Sequence, residues 1–500
     1  MLAAAADLDF LRSSVTVRET EDGISFFDGE TGFAAELDGA VLSQFGLASL
    51  AMKEQLARFG LTNDTADLTD IRRKQRNALA GGRSTLQRLQ DRLESLCRTV
   101  PYFAERRSQF SPELIEDVEA FEALPLMRRK DLRANFPHAL LPTNIDLREG
   151  LFSGRMAFVA TSGSTEDRIQ VLANSMVDRL PFGADDLLGI PLSGKQPKTA
   201  FFTTAVCSSS ACFRQATTYQ DRISQSSPDL LLRTTSDPFS MDRTLIEDFH
   251  AELTDYRPTI LAADPLYLQC LVRAARRYSI PVPSVPVVQT GFEFRTQLSH
   301  RTLRETFKCP VLDDYGASEE NRLAVECHRG CLHVRADAVY LEIINQQGAC
   351  QPGAIGNVVI TTFDTLTPLV RYLIGDLASW TGKKCDCAFS AWPVIELHGR
   401  AKDLLRTRES WISSLQIDRA IQAPEWLEFY RITQRQPEMF EVELIAALDA
   451  DPDILEFADL LSDYFEPAHL RIRAVCGFEL LPSLKVGTTL TKLPTPEIIP

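Results

Sequence analysis

Between residues 150 and 380 short apolar runs alternate with stretches of helical spacing, and this alternation limits the fold more than any other feature of the chain. "PKTAFFTT", "PTILAAD" and "VPVVQTG" read as strands, while "DRTLIEDFHAEL" and "DPLYLQCLVRAARRY" place apolar residues on one helical face. Strands joined by crossover helices lie parallel, in a sheet covered by those helices. Residues 336–381 depart from the pattern and read as strand-rich, through "VYLEIIN", "GNVVITTF" and "LVRYLIG". After about residue 402 comes a shorter α/β section containing "EWLEFYRITQRQ" and "FEVELIAAL". The expected class is α/β. It comprises a large parallel-sheet domain with a strand-rich subdomain over 66–401 and a small α/β domain over 402–500.

Residues 1–65 read as a separate α+β extension. Apolar and polar residues alternate around turns at Asp22-Gly23 and Asp28-Gly29, which predicts two or three antiparallel strands. "SLAMKEQLARFG" then has helical spacing and ends on Gly60, a C-cap residue. By pattern the module resembles a peptide-binding domain of the PqqD-like type; a purely structural extension is the plainer reading. Residues 70–98 predict an amphipathic helical stretch with Leu79, Leu86, Leu89, Leu93 and Leu96 on its apolar stripe.

The chain has 500 residues, 44% of them hydrophobic and 24% charged, with a net charge of -15. An acidic chain lacks the basic face that a phosphodiester backbone requires, so nucleic acid is excluded as a partner. No apolar run reaches about 18 residues, which excludes a membrane-spanning helix. The first residues lack a basic start and are interrupted by Asp7 and Asp9, so they do not read as a signal peptide. Eleven cysteines spread over so long a chain do not form a disulfide scaffold, and a reducing cytoplasm is the expected compartment.

"VATSGSTEDRIQ" (159–170) follows a strand-like run and packs small and hydroxylated residues around one glycine. Hydroxyls and backbone N–H groups in such a turn can cradle phosphate oxygens. It is no Walker loop, because the Gly-Lys-Ser/Thr ending is absent. Downstream, in order, stand "QTGFEF" (289–294), "LDDYGASEE" (312–320), "RYLIGDL" (371–377) and "HGRAKDLL" (398–405), flanked by "TVPYF", "LPLMRRKDLRANFP" and "VECHRGCLHV". Over residues 70–500 this series resembles the adenylate-forming superfamily, and within it the phenylacetate–CoA ligases and coenzyme F390 synthetase-like proteins.

The resemblance implies a large adenylation domain and an ATP-dependent ligase. It would activate a small carboxylic acid as acyl-AMP, release pyrophosphate and pass the acyl group to a thiol such as CoA. It implies that Thr161, Ser162, Gly163, Ser164 and Thr165 hold the β/γ-phosphates, with Arg168 replacing a lysine usual in relatives. Gly291, Phe292 and Glu293 would line the adenine and acyl pocket, and Asp314, Tyr315 and Gly316 would meet the nucleotide, Tyr315 against the adenine. Ser318 would contact the α-phosphate, Glu319 would hold Mg²⁺, Asp376 would take the ribose hydroxyls, Arg400 would close on the nucleotide and Lys402 would be the hinge. The adenylation lysine falls in "LKVGTTLTKLP": Lys492 is favoured because a run of small residues precedes it, and Lys485 is the alternative. Residues 203–213, "TTAVCSSSACF", would line part of the acyl pocket with small side chains, and Phe292 would form a wall suited to a flat or aromatic acid.

Cys327, His328, Cys331 and His333, with Cys385 and Cys387 about fifty residues on, have spacings that suit a tetrahedral Zn²⁺ site. The resemblance favours Cys327, His333, Cys385 and Cys387, with Cys331 as a substitute for His333. Two departures count against simple transfer of the family's chemistry. Glu166 and Asp167 follow the phosphate loop, and "RTRESW" (406–411) lacks a glycine that would admit a pantetheine arm. Transfer to a carrier protein, peptide or amine therefore stays open beside CoA, as does a non-catalytic nucleotide- or peptide-binding role. A homodimer is the candidate assembly.

Overall fold

The computed structural model describes three strands near the start (15–20, 23–28, 33–38) and residues 85–500, apart from 153–155, 161–168, 175–187, 189–196, 205–217, 224–228, 321, 364–365, 388, 391, 409, 467–468 and 482. The helix expected at 49–60, Leu79, the phosphate loop with Arg168, and most of 203–213 lie outside the described residues. The early strands Val15–Thr20, Gly23–Asp28 and Phe33–Asp38 form an antiparallel meander, Val15 opposite Asp28 and Asp28 opposite Phe33.

A 12-stranded sheet organises the body, and its two halves obey different rules. Asp229–Leu231, Thr199–Phe202, Ile260–Ala263, Val287–Thr290 and Val311–Tyr315 lie side by side and parallel. Among their connections are the two helices foreseen from the alternating pattern, Arg243–Tyr256 and Pro265–Tyr278, and a third, Gln297–Phe307, each opened by a side-chain cap from Asp242, Asp264 or Thr296. Ile260–Ala263 and Val287–Thr290 are buried at every position, as strands covered on both faces must be. From Val311–Tyr315 onward the sheet runs antiparallel through Ala324–Glu326, Leu332–Val334, Val394–Arg400, Tyr372–Trp380, Gly356–Thr362, Val339–Asn345 and Gly348–Ala349. Helix Thr85–Thr99 packs against this antiparallel half, with Leu89, Leu93 and Leu96 buried.

A second sheet of four strands, in the order Leu470–Ala474, Met439–Ala446, Leu427–Gln436, Thr489–Thr491, follows residue 402. "EWLEFYRITQRQ" and "FEVELIAAL" are its central antiparallel pair. This small lobe shares a core with the body: Phe429, Ile445, Phe478 and Val486 pack with helices Arg243–Tyr256 and Pro265–Tyr278. Beyond Thr491 the chain returns to the antiparallel half. Asn357 donates to the Glu497 carbonyl at 3.1 Å and accepts from the Ile499 amide at 2.9 Å, and Arg128 donates to the Glu497 carboxylate at 2.6 Å. Among the described residues no helix is long and apolar enough to cross a membrane.

Candidate active site

Ligands of parallel sheets bind beyond the carboxyl ends of the strands, and two predicted stretches, 289–294 and 312–320, emerge there from adjacent strands. Gly291 follows Val287–Thr290 and donates its amide to the Ala263 carbonyl at 3.1 Å. A Cβ on Gly291 would stand 3.0 Å from the Asp314 carbonyl, so a larger residue would push the neighbouring strand away. Phe292 takes the left-handed region, φ +73°, and is 46% exposed. So strained and bare an aromatic is uncommon outside functional sites. Glu293 turns back toward the small lobe.

Tyr315 ends its strand next to exposed Gly316. Its hydroxyl donates to Asp376 Oδ2 at 2.9 Å, and Arg400 Nε donates to Oδ1 of the same carboxylate at 3.0 Å. Asp376 and Arg400 come together because they are direct partners across the antiparallel pair Tyr372–Trp380 and Val394–Arg400, past a register shift between Leu377 and Ala378. Burial and the Asp376 carboxylate push the Tyr315 hydroxyl well above its ordinary range, keeping it a donor. A carboxylate has about four lone-pair directions, so Asp376 keeps acceptor capacity for two further hydroxyls.

Glu319 is buried, accepts from the Tyr372 hydroxyl at 3.1 Å and lies 3.8 Å from Arg129 Nη2. Asp314 pairs with Arg322 at 2.7 Å. Ser318 stands in the turn closed by the Ala317 amide on the Glu320 carbonyl. Lys402 is exposed, within the turn Ala401–Asp403 that leaves the body. Charge links these positions. Arg400 is held protonated by Asp376 first, with Asp403 and Glu319 adding to it. Asp403 is raised by burial, against Lys402 and Arg400, with Asp376 and Glu293 adding to the rise.

The two candidate lysines have different surroundings. Lys492 is exposed, its backbone amide on the Gln434 carbonyl. Lys485 reaches the body: its ammonium donates to the Phe292 carbonyl and faces Glu293 and Asp264. Tyr372, Arg129 and Asp264 carry no signal of their own in the sequence. Tyr372 sits inside a quoted motif, Arg129 in a basic helix start, and Asp264 in an ordinary Asp-Pro helix cap.

At the other face of the antiparallel half, Cys327, His333, Cys385 and Cys387 bring their ligand atoms within 4.8 Å of one another. Cys327 and Cys385 sulfurs are 3.7 Å apart, and Cys387 Sγ lies 3.3 Å from His333 Nε2. Sulfurs bound to one tetrahedral zinc at about 2.3 Å would be about 3.8 Å apart, so the donors fit that ion. His333 Nδ1 lies 3.3 Å from the Trp392 carbonyl, which fixes the proton there and leaves Nε2 to ligate. The turn at Cys327 is closed by the Gly330 amide on the Cys327 carbonyl, with Gly330 at φ +73°. Cys331 lies alongside, within hydrogen-bonding range of Cys385. Burial pushes the Cys387 thiol up to about 12, so ionising it calls for a nearby cation. Four protein ligands on one ion would leave no open position, the arrangement of structural rather than catalytic centres.

No family model matches the chain. A phenylacetate-coenzyme A ligase of Thermus thermophilus is 27% identical over 237 residues, which are 45% of this chain and 53% of the relative; the chain thus matches about half of that protein's length. A crystal structure of 2-hydroxyisobutyryl-CoA ligase, in the postadenylation state with 2-HIB-AMP, superposes with a TM-score of 0.59 at 16% identity, covering 78% of this chain and 85% of that one. A second structure of that ligase, with R3-HIB-AMP, gives 0.59 at 14% identity, covering 84% and 88%. The chain has the fold of these acyl-CoA ligases, as its α/β pattern and motif order led one to expect.

Proposed function

We propose that the chain is an ATP-dependent ligase that activates a small carboxylic acid as acyl-AMP and then passes the acyl group to a thiol. The observation that carries this reading is the convergence of Glu293, Tyr315, Glu319, Asp376 and Arg400 at the carboxyl ends of the parallel strands, linked by shared charge. In the reaction a carboxylate oxygen bonds to the α-phosphorus while the bond from that phosphorus to the bridging oxygen of pyrophosphate breaks. Such a step asks the protein mainly for position and charge compensation. Asp376 would hold the ribose, Tyr315 and the exposed Phe292 would offer flat faces to the base and the acid, and Arg400 would face the phosphates. Glu319, a hard oxygen ligand, would hold Mg²⁺. Of the two lysines, Lys485 has the better claim to the adenylation role, because its ammonium belongs to the charged cluster and that of Lys492 points to solvent. Cys327, His333, Cys385 and Cys387 would bind a structural zinc.

ATP–pyrophosphate exchange with a panel of carboxylic acids, aromatic acids among them, tests the reading. Acid-dependent exchange is expected. Its absence with every acid, in protein that still binds ATP, would favour a nucleotide-binding regulator. CoA, carrier protein and amines added in turn to the activating acid then identify the acceptor.

A further inference from the structure

The loop Leu484–Gly487 of the small lobe is held from two sides. From its own lobe, Arg431 on strand Leu427–Gln436 donates to the Val486 carbonyl, to the Gly487 carbonyl at 3.1 Å and to the Glu479 carbonyl at 2.5 Å. From the body, the Tyr267 hydroxyl donates to the Leu484 carbonyl at 2.7 Å. The Glu293 carboxylate accepts the Val486 and Gly487 amides at 3.3 and 3.2 Å. Leu484 and Gly487 are both left-handed, φ +56° and +64°, a conformation a leucine adopts only when its surroundings impose it.

Beneath Glu293 lies Asp264, fully buried. Its Oδ1 caps helix Pro265–Tyr278, accepting from Leu266 and Tyr267 amides at 3.0 and 3.2 Å. Its Oδ2 has no donor among the described residues, and the Glu293 carboxyl lies within hydrogen-bonding range. A buried carboxylate oxygen without a donor is costly. A proton held between the two acids removes the cost, and burial raises Asp264 well above the ordinary carboxyl range and raises Glu293 as well.

We propose that Asp264 and Glu293 form a proton-sharing acid pair that fastens the 484–487 loop to the parallel sheet and sets the place of Lys485, as positioning residues. The inference rests on the ligase reading for its consequence but not for its geometry. Asp264 holds the proton, and Glu293 keeps its charge for the two amides and for Lys485. Among the described residues the other groups facing Glu293 are Asp403, Arg431 and Tyr267, and those facing Asp264 are Tyr267 and Cys270. When rising pH removes the shared proton, two carboxylates confront each other and the loop loosens, so docking is firmest while the pair is singly ionised.

Hydrogen exchange of the Val486 and Gly487 amides in the full chain, beside ATP–pyrophosphate exchange, tests the pair. Glu293→Ala is expected to speed exchange at those amides about tenfold or more and to lower kcat with little change in KM for ATP. Asp264→Asn supplies a permanent donor toward Glu293, so it should keep the amides protected and abolish the loss of protection that the unmodified protein shows as pH rises, after correction for intrinsic rates. Glu293→Gln, which keeps shape and an acceptor, should fall between. Unchanged protection in a folded Glu293→Ala protein, or an Asp264→Asn protein with the same pH step, would overturn the proposal. If the amides respond as expected but no acid supports pyrophosphate exchange, the pair stands and the ligase reading fails.

Discussion

The Cys/His cluster and the 484–487 loop each join stretches of chain far apart in sequence, by opposite means. The cluster gathers four possible donors from the turn at Cys327, from strand Leu332–Val334 and from the connection that carries Cys385 and Cys387, with His333 oriented by the Trp392 carbonyl. It sits in the connection between the strand bearing Asp376 and the strand bearing Arg400, and its other turn follows the strand paired with Tyr315. The loop is joined to the body by the buried Val486 side chain and by four hydrogen bonds, two amides on Glu293, one hydroxyl on a carbonyl and one ammonium on another. The neutral bond is worth about 1 kcal/mol in net terms and each bond to a charged group about 1.5–3 kcal/mol. The residues that would hold the nucleotide are therefore built beside a cluster of possible metal ligands. The lysine that would complete the site is carried by a join of hydrogen bonds and one apolar contact.

That contrast can be broken most sharply at Lys485. Lys485→Ala should cut acid-dependent pyrophosphate exchange by roughly a hundredfold or more, the usual effect of losing one preorganised charge. Lys492→Ala should leave it within about threefold, since an exposed side chain contributes little. The reverse ranking would return the role to Lys492. Next comes Asp376→Ala, which removes a charge-assisted acceptor and strands Arg400. ATP affinity should fall roughly ten- to a hundredfold, read by calorimetry or by KM.

At the cluster, purified protein should carry one equivalent of zinc. Cys387→Ser or a strong chelator should remove it and lower Tm by roughly 5–10 °C. Metal-free protein of unchanged Tm would show that the cluster is an ordinary thiol-lined core. The smallest effect is expected at Gly399, φ +94°, where an added Cβ would stand 2.6 Å from Ser414 Oγ at the start of helix Ser414–Ile421. Gly399→Ala should weaken this contact between lobe and body by about 1–3 kcal/mol. Faster proteolysis near residues 402–414 would report it, with pyrophosphate exchange lowered a few-fold.

Much of the body was legible from residue types. Alternating strands and helices gave the parallel sheet, because buried strands and amphipathic helices have different periods. The cysteine and histidine spacing drew attention to the cluster, because few other arrangements use thiols and imidazole so close together, and the family resemblance chose the four donors within it. The register that sets Asp376 against Arg400 was not legible, since a shift at Leu377 decides it and no residue type announces that shift. Lys485 was harder still. Small residues before Lys492 favour that position locally, whereas the loop around Lys485 takes its shape from Tyr267, Glu293 and Arg431, each distant in sequence. The acid pair was illegible for the same reason: Asp264 looks like any helix cap until the strand beside it delivers Glu293.

The return of the chain to Asn357 and Arg128 bears on how the small lobe can travel. A lobe attached only at Lys402 would swing freely about one pivot, but this one is moored at its far end as well. Any large rotation must first cast off residues 497–499 or take up slack from the prolines at 494 and 496. Under the ligase reading, such a rotation would meet its threshold at a place remote from the chemistry.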